Sequence, residues 1–327
     1  MTNRVLSGIR ATGRLHLGNY LGAVKGMLAL QDDPDIHPLF MVADAHTITT
    51  PYDVEELKTN RREVLIDYLA AGLDPERSIL FLQSMVPGHY ELAFLFSSVV
   101  SIARMQHLPT FKDKVRQYPE HATMALLNYP VLMSADILLY QANLVPVGID
   151  QEPHLEVSRY IARKMNEQYG TSFPEPKRFA TKGEYVPSLQ GEGKMSKSVA
   201  GSFINLTDTE SEILDRLKAA PTDGGTGKVG TMPQGVRNLL TFVELFEGTD
   251  AMKEYEQLYE NDGIRYGDLK KRLATAIFQE LEPIQERRSE LVKDTAFVDG
   301  VIETGATKAQ VLAEETLAEV REKMGLA

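Results

Sequence analysis

Lys194 and Lys197 stand three residues apart in Gly193-Lys194-Met195-Ser196-Lys197-Ser198, and His16 and Asn19 stand three apart in Thr12-Gly13-Arg14-Leu15-His16-Leu17-Gly18-Asn19. Lysine is a compact cationic donor suited to a non-bridging phosphate oxygen. Ser196 and Ser198 add hydroxyls, and Gly191, Gly193 and Gly201 give the lysine loop freedom to swing in. His16 and Asn19 can donate to phosphoryl oxygens as charge builds at phosphorus. Gly13 and Gly18 let backbone approach a ligand closely, and a helix starting there offers free N–H groups to an anion. Each segment alone fits a plainer description, a helix start with an incidental histidine or a solvated basic loop. Together they suit gripping a nucleoside triphosphate while its α-phosphate is attacked.

These segments need elements to carry them. Residues 4–7 read as a strand entering the glycine turn, followed by a helix over 18–31. Continuous apolar runs predict buried strands at 38–44 and 79–82, with a helix over 53–72 between them ending at Gly72. A long helix is expected from about Tyr90, a helical stretch over 120–143, a short strand at 144–147 and a helix from Gln151, where Pro153 is tolerated in the first turn. Alternation of this kind implies an α/β fold, a doubly wound, mostly parallel, Rossmann-like sheet, over residues 1–199. The pattern then changes. Thr207 and Glu210 fit a capping box opening a helix to about Ala220, 223–228 reads as a flexible loop, and helices are expected over 269–288 and 308–324. The second domain, 200–304, therefore reads as all-helical, with 305–327 packing back onto the first.

A second constellation lies at Tyr129, Met133 and Asp136, which share one face of a helix at spacings i, i+4 and i+7. An ionised Asp136 accepts hydrogen bonds, and Met133 can pack its sulfur against a ring. The same spacing also fits an ordinary core stripe with Asp136 paired elsewhere.

Composition bounds the answer. The 327 residues suffice for two domains, and 43% hydrophobic with 25% charged content is ordinary for a globular chain. A net charge of −11 gives no long-range support to polyanion binding. Without cysteine there are no disulfides, thiolate zinc sites or cysteine-held iron–sulfur clusters. The first residues lack a signal-peptide core, so a cytoplasmic setting is expected. The chain also contains no tryptophan.

The segment 7–20 resembles the His-Ile-Gly-His region of class I aminoacyl-tRNA synthetases, in the variant found in bacterial tryptophanyl-tRNA synthetases, and residues 194–198 match their Lys-Met-Ser-Lys-Ser loop. The resemblance runs along the whole chain, through Tyr129-Pro130-Val131-Leu132-Met133-Ser134-Ala135-Asp136 and Val145-Pro146-Val147-Gly148-Ile149-Asp150-Gln151. It implies that Asp136 reads an indole N–H, that Leu6, Gly8, His46 and Met133 line the tryptophan pocket, and that Tyr129 and Gln151 hold the α-ammonium. His46 on its own fits a structural histidine equally well.

For ATP it implies Arg10, Ala11, Thr12, Gly18, Asn19, Gly148, Ile149, Asp150, Val186, Lys194, Met195, Ser196, Lys197 and Ser198. Catalysis falls to His16, Asn19, Lys194, Lys197 and a further phosphate-binding lysine, assigned to Lys114 rather than Lys112. Asp150 fits either a tether for a loop lysine or a helix cap. Two departures stand out. Arg10-Ala11-Thr12 replaces the common Gln-Pro-Ser, putting a charge where an amide is usual, and Asn19 replaces the last histidine of the general class I motif, as is typical of this branch.

The implied reaction joins L-tryptophan to ATP, with Mg²⁺ carried by the nucleotide and no protein metal site, giving tryptophanyl-adenylate and pyrophosphate. Transfer to tRNA(Trp) follows, in a homodimer whose helical domain reads the anticodon. A tyrosyl-tRNA synthetase and a non-catalytic RNA-binding paralogue are the alternatives. A site built around a substrate donor can reject analogues lacking it by roughly 10⁴ or more, which separates indole from phenyl and phenol side chains.

Overall fold

A computed structural model describes residues 3–180, 185–197 and 199–327. Five parallel strands, β1 (Asn3–Arg10), β2 (Ile36–Ala43), β3 (Ile79–Leu82), β4 (Leu144–Pro146) and β5 (Lys177–Phe179), form one sheet in the order β3-β2-β1-β4-β5. The order reverses between β1 and β4, the switch point where open α/β sheets leave a crevice at their carboxyl ends. β1 pairs with β2 along its whole length, Leu6 opposite Leu39 and Gly8 opposite Met41. Phe40, Phe81 and Val42 are completely buried in the strands, as expected of a sheet covered on both faces.

Two compact units emerge, one of Met1–Arg14, Lys25–Thr181 and Leu291–Ala327, the other of Leu15–Val24 and Lys182–Glu290. The division thus falls near residue 182 rather than at 199–200, so the lysine loop belongs to the helical unit, as does the short segment carrying His16. Among the described residues after 198 there is no strand, only helices and the isolated bridge that Asn205 makes with His16.

Local chemistry explains most boundaries. Asp53 caps the helix Val54–Ala71 by accepting from Glu56 N at 2.9 Å, and Gly72 ends it at φ +111°. Several expectations shift. The helix over 18–31 is an α-turn Leu17–Asn19, a π-helical stretch Tyr20–Val24 and a helix Lys25–Gln31, with the Tyr20 hydroxyl donating to Glu280 at 2.7 Å. The long helix from Tyr90 is three, Gly88–Phe96, Ile102–Gln106 and Pro109–Gln117. Ser97 and Ser98 hydroxyls donate back to carbonyls at the first break, Ser101 caps the second helix and Pro109 starts the third. The stretch over 120–143 is the helix Met124–Leu139, capped by Thr123. The capping box lies two residues later, at Thr209 and Glu212. β5 has no counterpart in the sequence pattern, because an edge strand of three residues carries no periodicity.

The last helix, Thr295–Lys323, packs on β3 and on the helices Gly88–Phe96 and Met124–Leu139 of its own unit. At Gly305 it comes close to β3: an added Cβ would lie 1.7 Å from the Leu80 carbonyl oxygen. Arg321 also forks onto both carboxylate oxygens of Glu91 at 2.7 Å. Alanine at Gly305 would gain about 1 kcal/mol in helix propensity, but a backbone carbonyl cannot rotate away. Gly305→Ala is expected to destabilise by about 1–3 kcal/mol net, lowering the midpoint of thermal unfolding by several degrees. An unchanged or raised midpoint would show that the helix is not seated on β3 at Gly305.

Candidate active site

The first unit holds a cavity of about 350 Å³ at the carboxyl ends of β1, β2 and β4, lined by Leu6, Gly8, His46, Tyr129, Met133, Asp136 and Gln151 among others. All seven residues expected for the amino-acid pocket therefore meet in one place. Gly8 is required by packing: a Cβ there would meet the Met41 carbonyl oxygen at 2.9 Å and its Cγ at 2.7 Å.

Asp136 is completely buried. Its Oδ1 accepts from Gln83 Nε2 at 2.8 Å and from His89 Nδ1 at 2.7 Å, and Oδ2 accepts from His46 Nε2 at 2.8 Å. Burial pushes this carboxyl up, but the charge and hydrogen bonds of His46 and of His89 outweigh it and hold it below the usual carboxylate range. The Asp136 carboxylate only accepts, so His89 donates from Nδ1–H, and the Tyr140 hydroxyl lies 2.8 Å from its other nitrogen, Nε2. Of the roughly four lone-pair sites of a carboxylate, these three bonds leave one on Oδ2. Asp136 is thus an ionised acceptor with one place left, in an apolar cavity. Gln83, His89 and Tyr140 went unnoticed in the sequence, where a polar residue beside an apolar run was the only signal.

A second polar cluster lies on the same wall. Tyr129 Oη lies 2.8 Å from Thr110 Oγ1 and 2.8 Å from His154 Nε2, while His154 Nδ1 lies 2.9 Å from Gln151 Oε1. Arg10 and Lys114 line the cavity too. Arg10 Nη2 donates to Thr50 Oγ1 at 2.9 Å while its Nε is buried without a partner. Burial lowers the Arg10 guanidinium, against the raising effect of Tyr129 and Tyr118, and it lowers Lys114, as does the charge of Arg10. The two cations favour an anionic group at this wall. Ala11 is buried and Thr12 exposed, beside Gly13 at φ +115°. Gly148, Ile149 and Asp150 form the turn leaving β4, with Ile149 and Asp150 exposed. Asp150 is not a helix cap: it accepts from Gln151 Nε2 at 2.7 Å.

The second unit brings the His16 turn and the lysine loop together. His16 caps the Leu17–Asn19 turn reciprocally, its Nδ1 accepting from Asn19 N at 3.3 Å and Asn19 Oδ1 from His16 N at 3.2 Å. Both side chains spend an acceptor on the cap, which leaves His16 Nε2–H and the Asn19 Nδ2 amide as donors. Gly18 N–H points to the Met195 sulfur at 3.2 Å, and a Cβ on Gly18 would press on both His16 and Met195. Burial, then the charges of Lys197 and Lys194, lower the His16 pKa to about 4. The loop is held by Met195 N donating to Val186 O at 2.9 Å and by Ser202 Oγ donating to Ser196 O, with Lys194 exposed. Ser198 lies outside the described residues. Among those described, no group of three His, Asp or Glu side chains is disposed to hold a metal, and no helix is long and apolar enough to cross a membrane.

Residues 2–282 match the family model described as tRNA synthetases class I (W and Y). The chain belongs to this family. Among relatives of these synthetases, the tryptophan–tRNA ligase of Helicobacter pylori is 42% identical over 328 residues, 99% of this chain and 98% of that one, and that of Porphyromonas gingivalis 40% identical over 325 residues, 98% of each. Tryptophanyl-tRNA synthetase from Campylobacter jejuni, solved with ADP and tryptophan, superposes with a TM-score of 0.84 at 32% identity, covering 99% of this chain and all of that one. The Mycoplasma pneumoniae enzyme reaches 0.86 at 32% identity, covering all of this chain and 99% of that one.

Two expectations follow. Asp136→Asn leaves an amide NH₂ facing a histidine donor, so stability measured by denaturant titration should fall by about 3 kcal/mol, and an unchanged midpoint would show that the three donors do not depend on a carboxylate. Protonation of His16 is disfavoured in the fold, so the unfolded chain takes up that proton first. Its contribution to stability is complete above the ordinary histidine value of 6.5 and is lost as pH falls through about 4. His16→Gln should flatten that acid limb in denaturant titrations run across the same range.

Proposed function

We propose that this protein is a tryptophan–tRNA ligase acting in the cytoplasm, activating L-tryptophan with Mg²⁺-bound ATP and then charging tRNA(Trp). The observation that carries the choice of amino acid is the ionised, completely buried Asp136 with one acceptor site left in an apolar cavity. An indole brings a single N–H donor to such a site. A phenol can also donate, but from the far tip of a smaller ring rather than from its side, and phenylalanine brings no donor at all. Tyr129 and Gln151 take the α-ammonium; Arg10 and Lys114 attract the anionic groups, the substrate carboxylate and the phosphates.

In the first step the tryptophan carboxylate, already ionised, attacks the α-phosphorus of ATP. A carboxylate O–P bond forms, the bond to the β-phosphate oxygen breaks, and pyrophosphate leaves with Mg²⁺. No general base is required, so catalysis is positioning and charge stabilisation. His16 serves as a neutral Nε2–H donor, Asn19 as an amide donor, and Lys194 and Lys197 as cations toward the departing pyrophosphate. Ala11, Thr12, Gly18, Gly148, Ile149, Asp150, Val186, Met195, Ser196 and Ser198 contribute the remaining nucleotide contacts. In the second step a terminal ribose hydroxyl of the tRNA attacks the adenylate carbonyl and AMP leaves. The helices of the second unit read the anticodon in this scheme.

A homodimer is part of the proposal. Phe94, Ile102 and Met124 are 78%, 63% and 71% exposed. Phe94 and Ile102 lie on helices that both pack against the helix bearing Met124, and exposed large apolar side chains on neighbouring helices support an interaction face. A second copy would cover them.

Amino-acid-dependent exchange of labelled pyrophosphate into ATP tests the chemistry. Tryptophan should drive exchange and tyrosine should not; exchange with tyrosine, or with neither in a folded sample, would refute the assignment. Lys194→Ala and Lys197→Ala should each lower kcat by about 10²-fold or more. Phe94→Glu should convert the dimer to monomer in analytical ultracentrifugation, and an unchanged sedimentation coefficient would remove that face from the interface.

A further inference from the structure

His154 is 1% exposed, sits on the first turn of the helix Glu152–Tyr169 and lines the cavity, yet the scheme above gives it no task. Its hydrogen bonds can be assigned from one end. The Asp150 carboxylate only accepts, so the group 2.7 Å from its Oδ2 is the Gln151 NH₂, and Gln151 Oε1 is the atom 2.9 Å from His154 Nδ1. An amide oxygen also only accepts, so Nδ1 carries the proton and Nε2 of the neutral ring is an acceptor.

Nε2, Tyr129 Oη and Thr110 Oγ1 form a triangle with sides of 2.8, 2.8 and 2.9 Å. Only the two hydroxyl protons are available to it. The Tyr129 O–H is therefore spent within the triangle, on Thr110 or on Nε2, and the phenolic oxygen keeps lone pairs. Gln151 Oε1 likewise keeps one.

We propose that His154 is a positioning residue: its Nδ1–H tautomer, set by Asp150 through Gln151, makes Tyr129 and Gln151 acceptors for the substrate's α-ammonium. The proposal rests on the tryptophan reading of the cavity. Burial supports it by lowering the His154 pKa, with Asp150 raising and His46 further lowering it. A protonated ring would turn Nε2 into a donor toward Tyr129 and Thr110 and would set a cation beside the ammonium. The other charged or titratable groups about it are Tyr129 and Asp136 on the helix Met124–Leu139, Asp150 on its own turn, and His46, Arg10 and Lys114 on the cavity wall. Arg178 of β5 pairs with Glu152.

The test compares binding of tryptophan with that of indole-3-propionate, which keeps the ring and carboxylate but lacks the ammonium. His154→Asn retains a donor near Nδ1 and loses the Nε2 acceptor; His154→Gln does the reverse. Both should weaken tryptophan by about 10- to 100-fold and leave indole-3-propionate within about 3-fold, raising KM for tryptophan in pyrophosphate exchange with little change in kcat. In the unaltered protein the preference for tryptophan over indole-3-propionate should hold steady down to the ordinary histidine value of 6.5 and shrink only as pH falls below it, a trend the variants lack; this arm holds even if a variant folds poorly. Equal loss of both ligands, loss of neither, or a preference that ignores pH overturns the role of His154. Absence of tryptophan binding in the unaltered protein overturns the tryptophan reading instead.

Discussion

A carboxylate with no exposure to water has to be bonded on nearly every side, and Asp136 meets that condition with donors drawn from three places in the chain. His46 comes from the 3₁₀ turn after β2, Gln83 from the turn after β3, and His89 from the start of the helix Gly88–Phe96. The carboxyl ends of two strands are thereby tied to the helix that carries Asp136. Removing any one donor would leave a buried charge underbonded, so the pocket is held in shape by the same bonds that keep its acceptor ionised. Phe81, stacked on His89, and Tyr140, edge-on to both, fix the imidazole from behind. The lone pair left on Oδ2 is what this arrangement makes available to a ligand.

The second unit uses another economy. At the three-residue turn Leu17–Asn19 the side chains of His16 and Asn19 cap each other's backbone, and the acceptor that each commits leaves each side chain a donor. Burial beside two lysines keeps His16 neutral through the physiological range, so the charge at this site comes from the lysines and the imidazole contributes a directed N–H. Met195 links the motifs physically by accepting from Gly18 N–H, which gives the methionine between the two lysines a structural reason.

The seven residues that the family resemblance implied for the amino-acid pocket all line one cavity; of these, spacing alone put only Tyr129, Met133 and Asp136 together, on one face of a helix. The parallel sheet was legible from buried runs at β2 and β3. Less legible was everything set by one polar bond. Ser97, Ser98 and Ser101 broke a helix that hydropathy made continuous, and Thr209 rather than Thr207 took the cap, since Glu212 rather than Glu210 could reach back to it.

By itself, then, the sequence determined the α/β class, the His16 turn and the lysine loop, which depend on local spacing and residue type, while the pocket residues came from its resemblance to a known family. The tertiary structure alone decided which polar groups answer each other. Gln83, His89 and His46 converge on Asp136 from sequence separations of 53, 47 and 90 residues, and His154 meets Thr110 across 44. No periodicity encodes such pairings. They arise because a buried donor or acceptor must find its partner among whatever elements the fold has already brought within about 3 Å.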